Sequence, residues 1–510
     1  MDAVNPEAVR IARAELRKAV HDSRRRGLLY ATKWAAEQLA GLPQEATAGE
    51  VAASAWEGDS DILQMAHAYF DLKEYRRAAH VLATANDNTA RQPLGKFLRM
   101  YSLYLAGEKQ KEEDIAQSPS SQGVLMRPVV ANNELKGLHD ELSSAKGLDG
   151  FLLYLLGLIQ RGLGMKTEAI ASLSQSVTSY PCNWAAWQEL SSLCADTDTV
   201  QRLQLPEHWT RTLFMAQLAS ELQHEVLPDA VINQYSTLEQ SLFPRSTYIL
   251  VQKAMVYYLE RQYDDAERLF EEVLRRDPFR LEHMDAYSNI LYVKEKDAEL
   301  SFLAHNAIKW DRYRPETCCI IGNYYSRKRQ HEKAVQYFSR ALKLDPSYLS
   351  ACTLMGHEFV EMKNPNAAIE AYRRAVDINP RDYRAWYGLG QMYEMLQMHY
   401  YALYYFRKVT VLRPNDPRMW SAMGSCYKAL LRNEEAKKCF ERASRDDGGG
   451  GDTTALAQLA KLYADDGPSG EDKAARTYRR LLDNLRGQSP EAYASDVSEP
   501  TMTRDTSVCS

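Results

Sequence analysis

Prolines at a fixed interval constrain this chain more than any other feature. Pro346, Pro380 and Pro414 fall 34 residues apart, and Pro278 lies two such intervals before Pro346. Counting units of that length from 247, 281, 315, 349, 383 and 417 lets each unit position be read against the demands of two packed antiparallel helices. Position 8, where helices approach closely, carries Ala254, Ser288, Gly322, Gly356, Gly390 and Gly424. Position 20 carries Ala266, Ala334, Ala368, Ala402 and Ala436, with Leu300 as the departure in the second unit. Position 11 holds Tyr257, Leu291, Tyr325, Phe359, Tyr393 and Tyr427, and position 24 holds Phe270, Ala304, Phe338, Tyr372, Phe406 and Phe440. Positions 4, 7, 8 and 11 make one apolar stripe on the first helix. Proline at position 32 then stops the second helix, because it lacks an N–H and clashes with the preceding turn. The second unit keeps its length although Arg312 stands where proline is expected.

A 34-residue helix–turn–helix unit with this pattern is the tetratricopeptide repeat, so an all-α superhelix of antiparallel helix pairs is expected. A seventh repeat follows Gly448–Gly451, with Leu456, Leu459, Ala460, Tyr463, Ala474 and Tyr478 in register after a turn two residues longer. Less regular units start near 59 and 150, and looser fragments near 94 and 184. The polar segment 108–149 predicts a loop. The sequence thus divides into an N-terminal helical segment (1–58), a degenerate repeat array (59–246), a regular array (247–486) and a tail (487–510) whose Ser, Thr, Asp, Glu and Pro predict disorder.

Composition removes several classes of function. A net charge of −5 with 26% charged residues is too acidic for a bulk nucleic-acid binder. Arg24, Arg25 and Arg26 lie beside Glu15, Asp22 and Glu37 and read as a solvated helix face. The longest apolar run, Phe151–Ile159, is under half of the roughly 20 residues that span a bilayer, and the N-terminus has no signal-peptide stretch, so no membrane partner is expected and the location is nucleus and cytoplasm. None of the eight cysteines forms a C-x-x-C pair, and Cys318 and Cys352 occupy the core position 4, so reduced buried thiols are expected.

Catalytic motifs fail on inspection. His357-Glu358 begins a zinc helix motif, but Glu361 replaces its second histidine, and His331-Glu332 fails the same way. Gly388-Leu389-Gly390 lacks the third glycine of a dinucleotide loop, and no phosphate-binding loop occurs. Asp264-Asp265 and Glu271-Glu272 read as solvated faces. The expectation is a chain with no catalytic residues, no cofactor and no metal.

What stacked repeats offer instead is a wall for another protein, lined by the first helix of each pair. Position 9 supplies Asn289, Asn323, His357, Gln391 and Ser425, with Tyr324, Arg327, Glu358, Glu361, Tyr387 and Glu394 around it. Amides both donate to and accept from an extended backbone, and three glutamates favour a basic ligand, best an arginine. The candidate groove is therefore Asn289, Asn323, Tyr324, Arg327, His357, Glu358, Glu361, Gln391 and Glu394.

The wording of the repeats goes beyond their period. The stretches 26–39 (RGLLYATKWAAEQL), 277–293 (DPFRLEHMDAYSNILYV), 299–307 (ELSFLAHNA), 353–364 (TLMGHEFVEMKN) and 381–396 (RDYRAWYGLGQMYEML), the segment Phe243–Tyr248, and above all 316–346, resemble the subunit 8 family of the anaphase-promoting complex. The resemblance implies a non-catalytic scaffold subunit of a ubiquitin ligase that acts on cell-cycle regulators. It implies contacts with other tetratricopeptide subunits and the large scaffold subunit, a homodimer through the N-terminal repeats, and a C-terminal groove for the arginine-bearing C-box of a coactivator. Asn323 and Glu358 fall where that family reads the C-box. Ser118-Pro119 and Ser489-Pro490 match a minimal proline-directed kinase site. The alternative is a chaperone adaptor that clamps a C-terminal carboxylate. Asn289 and Asn323 suit it, but position 5 (Val251, Asp285, Cys319, Thr353, Tyr387, Ser421) lacks the basic partners. An enzyme with repeats fused to a transferase domain would need chain that the repeats already occupy.

Overall fold

The computed structural model describes residues 6–43, 61–84, 92–117, 131–194 except 146, 203–222 except 204, 228–444 except 415, 453–465 and 471–488. The expectations for Ser118-Pro119, for Gly448–Gly451, for Ser489-Pro490 and for nearly all of the tail lie outside these residues. Among the described residues there are 25 helices and no strand. The fold is all-α and built of tetratricopeptide pairs. Contacts divide the chain into two compact units, one ending at Ala351 and one beginning at Cys352.

Regular repeats up to 412 pair a first helix with a slightly longer second one, as in Pro315–Arg327 with His331–Leu344 and Tyr383–Met395 with His399–Leu412, whereas Pro417–Ala429 is followed by the shorter Asn433–Ala443. Starts are set by side chains that accept otherwise orphaned N–H groups: Asp382 from the Arg384 N–H, Asp416 from the Arg418 N–H, Asn364 from the Ala367 N–H and Ser246 from the Ile249 N–H. Pro315, Pro365 and Pro417 occupy first-turn positions, where a missing N–H costs nothing.

The turn within each pair has a feature the sequence did not advertise. Arg261, Glu295, Arg329, Lys363, Gln397 and Leu431 all have φ between 57° and 63°. They occupy position 15 of successive repeats, so one left-handed residue reverses the chain each time. In the N-terminal units starting near 59 and 150 the same position is Lys73 (φ 60°) and Gly164 (φ 82°). Only Gly164 is of the type that takes this conformation without strain.

Positions 8 and 24 are two halves of one contact. A Cβ on Gly356 would lie 2.5 Å from the Tyr372 ring and one on Gly390 2.5 Å from the Phe406 ring, so these glycines exist to admit the aromatic ring of the paired helix. Three of the joins between repeats are stitched by a tryptophan at position 4. Trp420 Nε1 donates to the Pro414 carbonyl at 2.7 Å, Trp386 to Pro380 at 2.8 Å and, in the N-terminal region, Trp187 to Pro181 at 2.7 Å. The last bond places the loose fragment near 184 in the same register as the regular repeats.

The unit ending at Ala351 is assembled differently near its start. The helices Pro6–Arg25 and Leu29–Gly41 form a hairpin whose Trp34 stacks on Trp184 at 4.4 Å and on Trp209 at 6.0 Å, with Tyr248 edge-on at 6.2 Å. Ser246 Oγ bonds Gln38 Oε1 at 3.0 Å, the Arg245 N–H bonds the Gly41 carbonyl at 3.3 Å, and Lys33 pairs with Glu282. The N-terminal segment is thus built into the repeat body. Within 108–149, where a loop is expected, the helix Pro93–Gln117 runs on to Gln117 and Leu135–Ser144 forms another helix, while 118–130 lie outside the described residues.

Candidate peptide-binding site

The candidate residues fall in both units, and each set has its own geometry. In the unit ending at Ala351, Asn323 is buried and its amide nitrogen donates to Ser288 Oγ at 2.8 Å and to Asn289 Oδ1 at 2.7 Å. The Asn289 amide in turn donates to the Tyr258 hydroxyl at 3.2 Å. Position 9 therefore forms a ladder from repeat to repeat, and these donors are largely used inside the protein. Arg327 donates to Asp297 at 2.6 Å and to Glu295 at 3.2 Å. Its charge is offset by the preceding repeat. The half-buried Tyr324 lies under Lys328, whose ammonium is 4.3 Å from the ring centre and bonds the hydroxyl, which lowers the pKa of that phenol.

In the unit beginning at Cys352, His357, Glu361, Gln391 and Glu394 line one open pocket of about 520 Å³ together with Val360, Tyr372, Met392, Met395 and Gln397. His357 and Glu361 come from the helix Leu349–Glu361, Gln391 and Glu394 from Tyr383–Met395. His357 and Gln391, one repeat apart, thereby line the same pocket. The Tyr372 hydroxyl lies 2.8 Å from His357 Nδ1. Protein crowding around the imidazole, then the Arg384 guanidinium, disfavour its charged form and push His357 down to about 4, although the side chain is exposed at the pocket mouth. The histidine is neutral near pH 7 and adds no cation to the pocket.

The two carboxylates differ. Glu361 is exposed, whereas Glu394 is half-buried; loss of water around its carboxylate raises its pKa, with His399 pulling the other way. Among the described residues no Lys or Arg forms an ion pair with either. Glu358 does not line this pocket. It is 5% exposed and already engaged with other groups of the protein, because position 10 turns inward from position 9.

Sequence reasoning overlooked Tyr372, Met392, Met395, Val360 and Gln397. Tyr372 has the signal of a packing ring, which it is, yet it also lines the pocket. Each methionine directly follows a polar position, Met392 after Gln391 and Met395 after Glu394, so a reading by polar type passes over them. What the arrangement can do is hold a cation on an aliphatic stem: carboxylates at the end, Met392, Met395 and Val360 along the side, and an amide for a backbone group.

Comparisons with known proteins agree with the repeat register. The family model for anaphase promoting complex subunit 8/Cdc23 matches residues 11–254, and tetratricopeptide-repeat models match 315–348, 356–397 and 417–445. Anaphase-promoting complex subunit 8 of Arabidopsis thaliana is 44% identical over 370 residues, covering 64% of this chain and 62% of that protein. The Dictyostelium discoideum protein of the same name is 43% identical over 386 residues, 64% of each chain. The Homo sapiens cell division cycle protein 23 homolog is 45% identical over 291 residues, 56% of this chain and 47% of that one. These matches span less than two thirds of the length of those relatives. Among solved structures, the crystal structure of the APC/C hetero-tetramer Cut9-Hcn1 shares the fold, with a TM-score of 0.59 and 17% identity over 92% of this chain and 85% of that one. Over residues 11–254 the chain matches the anaphase promoting complex subunit 8/Cdc23 family, and the Arabidopsis and Dictyostelium proteins of that family are 44% and 43% identical to it.

Proposed function

We propose that this chain is a non-catalytic scaffold subunit of an anaphase-promoting complex ubiquitin ligase, working in nucleus and cytoplasm, and that its C-terminal unit receives an arginine-bearing peptide, the C-box of a coactivator. The pocket lined by Glu361, Glu394, Met392 and Met395 carries this reading. A guanidinium reaching both carboxylates satisfies them in a partly dry setting, where charge-assisted bonds are worth about twice neutral ones. An acidic pocket without lysine also disfavours the chaperone-adaptor alternative, whose ligand is a carboxylate. Contacts with other subunits of the complex, and self-association through the N-terminal repeats, belong to the same proposal. No described helix is long and apolar enough to cross a membrane.

A fluorescent arginine-containing peptide tests the pocket directly. Glu361→Gln with Glu394→Gln is expected to weaken it by about 1.5–3 kcal/mol, the range for charged hydrogen bonds, and unchanged affinity would sink the assignment. Glu358→Lys is a poor probe because it places a cation at a buried site. The sign of the pH effect follows from Glu394: its pKa is raised, so affinity holds at neutral pH and falls as acidification protonates that carboxylate. In Glu394→Gln the shallower part of that loss disappears. The scaffold reading is tested by gentle purification of the tagged chain, with an assay of the eluate for ubiquitin transfer to a cyclin fragment. Recovery of chaperones alone, with no transfer, would defeat it.

A further inference from the structure

The structure gathers a donor set that no local motif announces. Glu15 lies on the helix Pro6–Arg25, Cys182 in the turn before Trp184–Leu193, and His208 immediately before Trp209–Leu222. Glu15 and His208 are 193 positions apart in the chain, yet His208 Nε2 is 2.9 Å from Glu15 Oε2. One ligand atom from each of Glu15, Cys182 and His208 lies within 4.8 Å of the other two. Cys182 is buried, and the other two are half-buried.

We propose that Glu15, Cys182 and His208 form a site for a zinc-class divalent cation, with the fourth position left to water. The donor set is thiolate, imidazole and carboxylate, which are the three ligand types Zn²⁺ accepts, at bond lengths of about 2.0–2.3 Å. Tetrahedral ligation at those lengths spaces the ligand atoms by about 3.3–3.8 Å, so the cluster needs only side-chain adjustments of about an ångström. The ligands are also held from behind. Thr210 Oγ1 lies 2.7 Å from His208 Nδ1 and Trp209 Nε1 is 3.4 Å from Glu15 Oε2, the kind of outer contacts that orient metal ligands. As it stands, the Thr210 N–H donates to His208 Nδ1 at 3.3 Å, so the ring proton is on Nε2 toward Glu15; a metal on Nε2 would move that proton to Nδ1, where Thr210 Oγ1 accepts it and the Thr210 N–H bond is given up.

Charge and protons balance. Cys182 is buried, so the metal-free site holds a thiol. Entry of the dication displaces that one proton to solvent, and thiolate plus carboxylate then neutralise the ion in a partly buried place. The consequence is mechanical: a metal here ties the N-terminal hairpin to two later segments of the repeat body. A scan for closely spaced Cys and His cannot find such a site, because its ligands come from three distant stretches.

The test uses the purified full chain, stripped with EDTA and titrated with Co²⁺ alone, then with Zn²⁺. One Co²⁺ per chain is expected, with a thiolate-to-cobalt charge-transfer band that Zn²⁺ displaces and a melting midpoint that rises with Zn²⁺. Cys182→Ser should abolish the band and the metal-dependent rise. Loss of an outer-shell partner alone costs about 10–100-fold in metal affinity, so His208→Gln and Glu15→Gln should each weaken binding by at least about tenfold. Helical circular dichroism of each metal-free variant reports folding, and Glu15→Gln carries the test should Cys182→Ser misfold. No saturable binding, a band that survives Cys182→Ser, or affinity unchanged in both other variants would overturn the site.

Discussion

The region from Pro6 to Ser246 and the repeats from Cys352 to Ala443 bury aromatic rings by opposite routes. In the repeats, each ring is met by a glycine of its own helix pair: Tyr372 by Gly356, Phe406 by Gly390 and Phe440 by Gly424. In the N-terminal region, Trp184 and Trp209 both stack on Trp34, which comes from a stretch about 150 residues or more earlier in the chain. The first route uses contacts that close within one unit, so each repeat carries its own specification and depends on its neighbours only at the seam. The second needs long chain closures before any ring finds its partner, which places more entropy against assembly and ties the whole region into one event. Irregular repeats survive there because the hairpin supplies what their positions lack.

Four substitutions test that contrast, in falling order of effect. Trp34→Ala should be the most damaging, at about 3–5 kcal/mol by urea unfolding, because it empties the centre of the stack; a cost near that of an exposed residue would mean the hairpin is not integral. Gly390→Ala should cost about 1–3 kcal/mol, since its new Cβ would meet the buried Phe406 ring, and the loss should shrink when Phe406→Leu accompanies it. Trp420→Phe removes one bond to the Pro414 carbonyl and should cost about 1 kcal/mol, loosening the seam between two repeats and leaving the N-terminal region untouched. Leu431→Gly should go the other way. This 86% exposed leucine sits at φ 59°, and relief of its strain is worth up to about 1 kcal/mol. Calorimetry that resolves separate transitions would assign each effect to its region.

Much of the fold was legible because packing demands recur. A small residue at position 8 and a ring at position 24, repeated at a constant interval, leave little choice but paired helices. The turn at position 15 was not legible, since Arg, Glu, Arg, Lys, Gln and Leu share no property that announces a left-handed backbone; the surrounding helices impose it. The candidate site was legible in part. His357, Glu361, Gln391 and Glu394 were found from their positions and share one pocket, but Glu358 turns inward and Asn323 gives its donors to Ser288 and Asn289. Type alone cannot tell a polar residue that faces a ligand from one that faces its neighbour. The grouping of Glu15, Cys182 and His208 was out of reach, since it depends on where distant helices come to rest.

The tryptophan bond from Trp420 to Pro414, and its counterpart from Trp386 to Pro380, has a consequence for how such a chain can change length. Excising 383–416 would set Trp420 opposite the Pro380 carbonyl and restore the same join. Removing a few residues fewer would leave both groups without a partner and break the seam, although each later ring would keep the glycine of its own pair. Descent with modification in this region is therefore quantised: whole repeats can be lost or duplicated, while small insertions and deletions are confined to the turns.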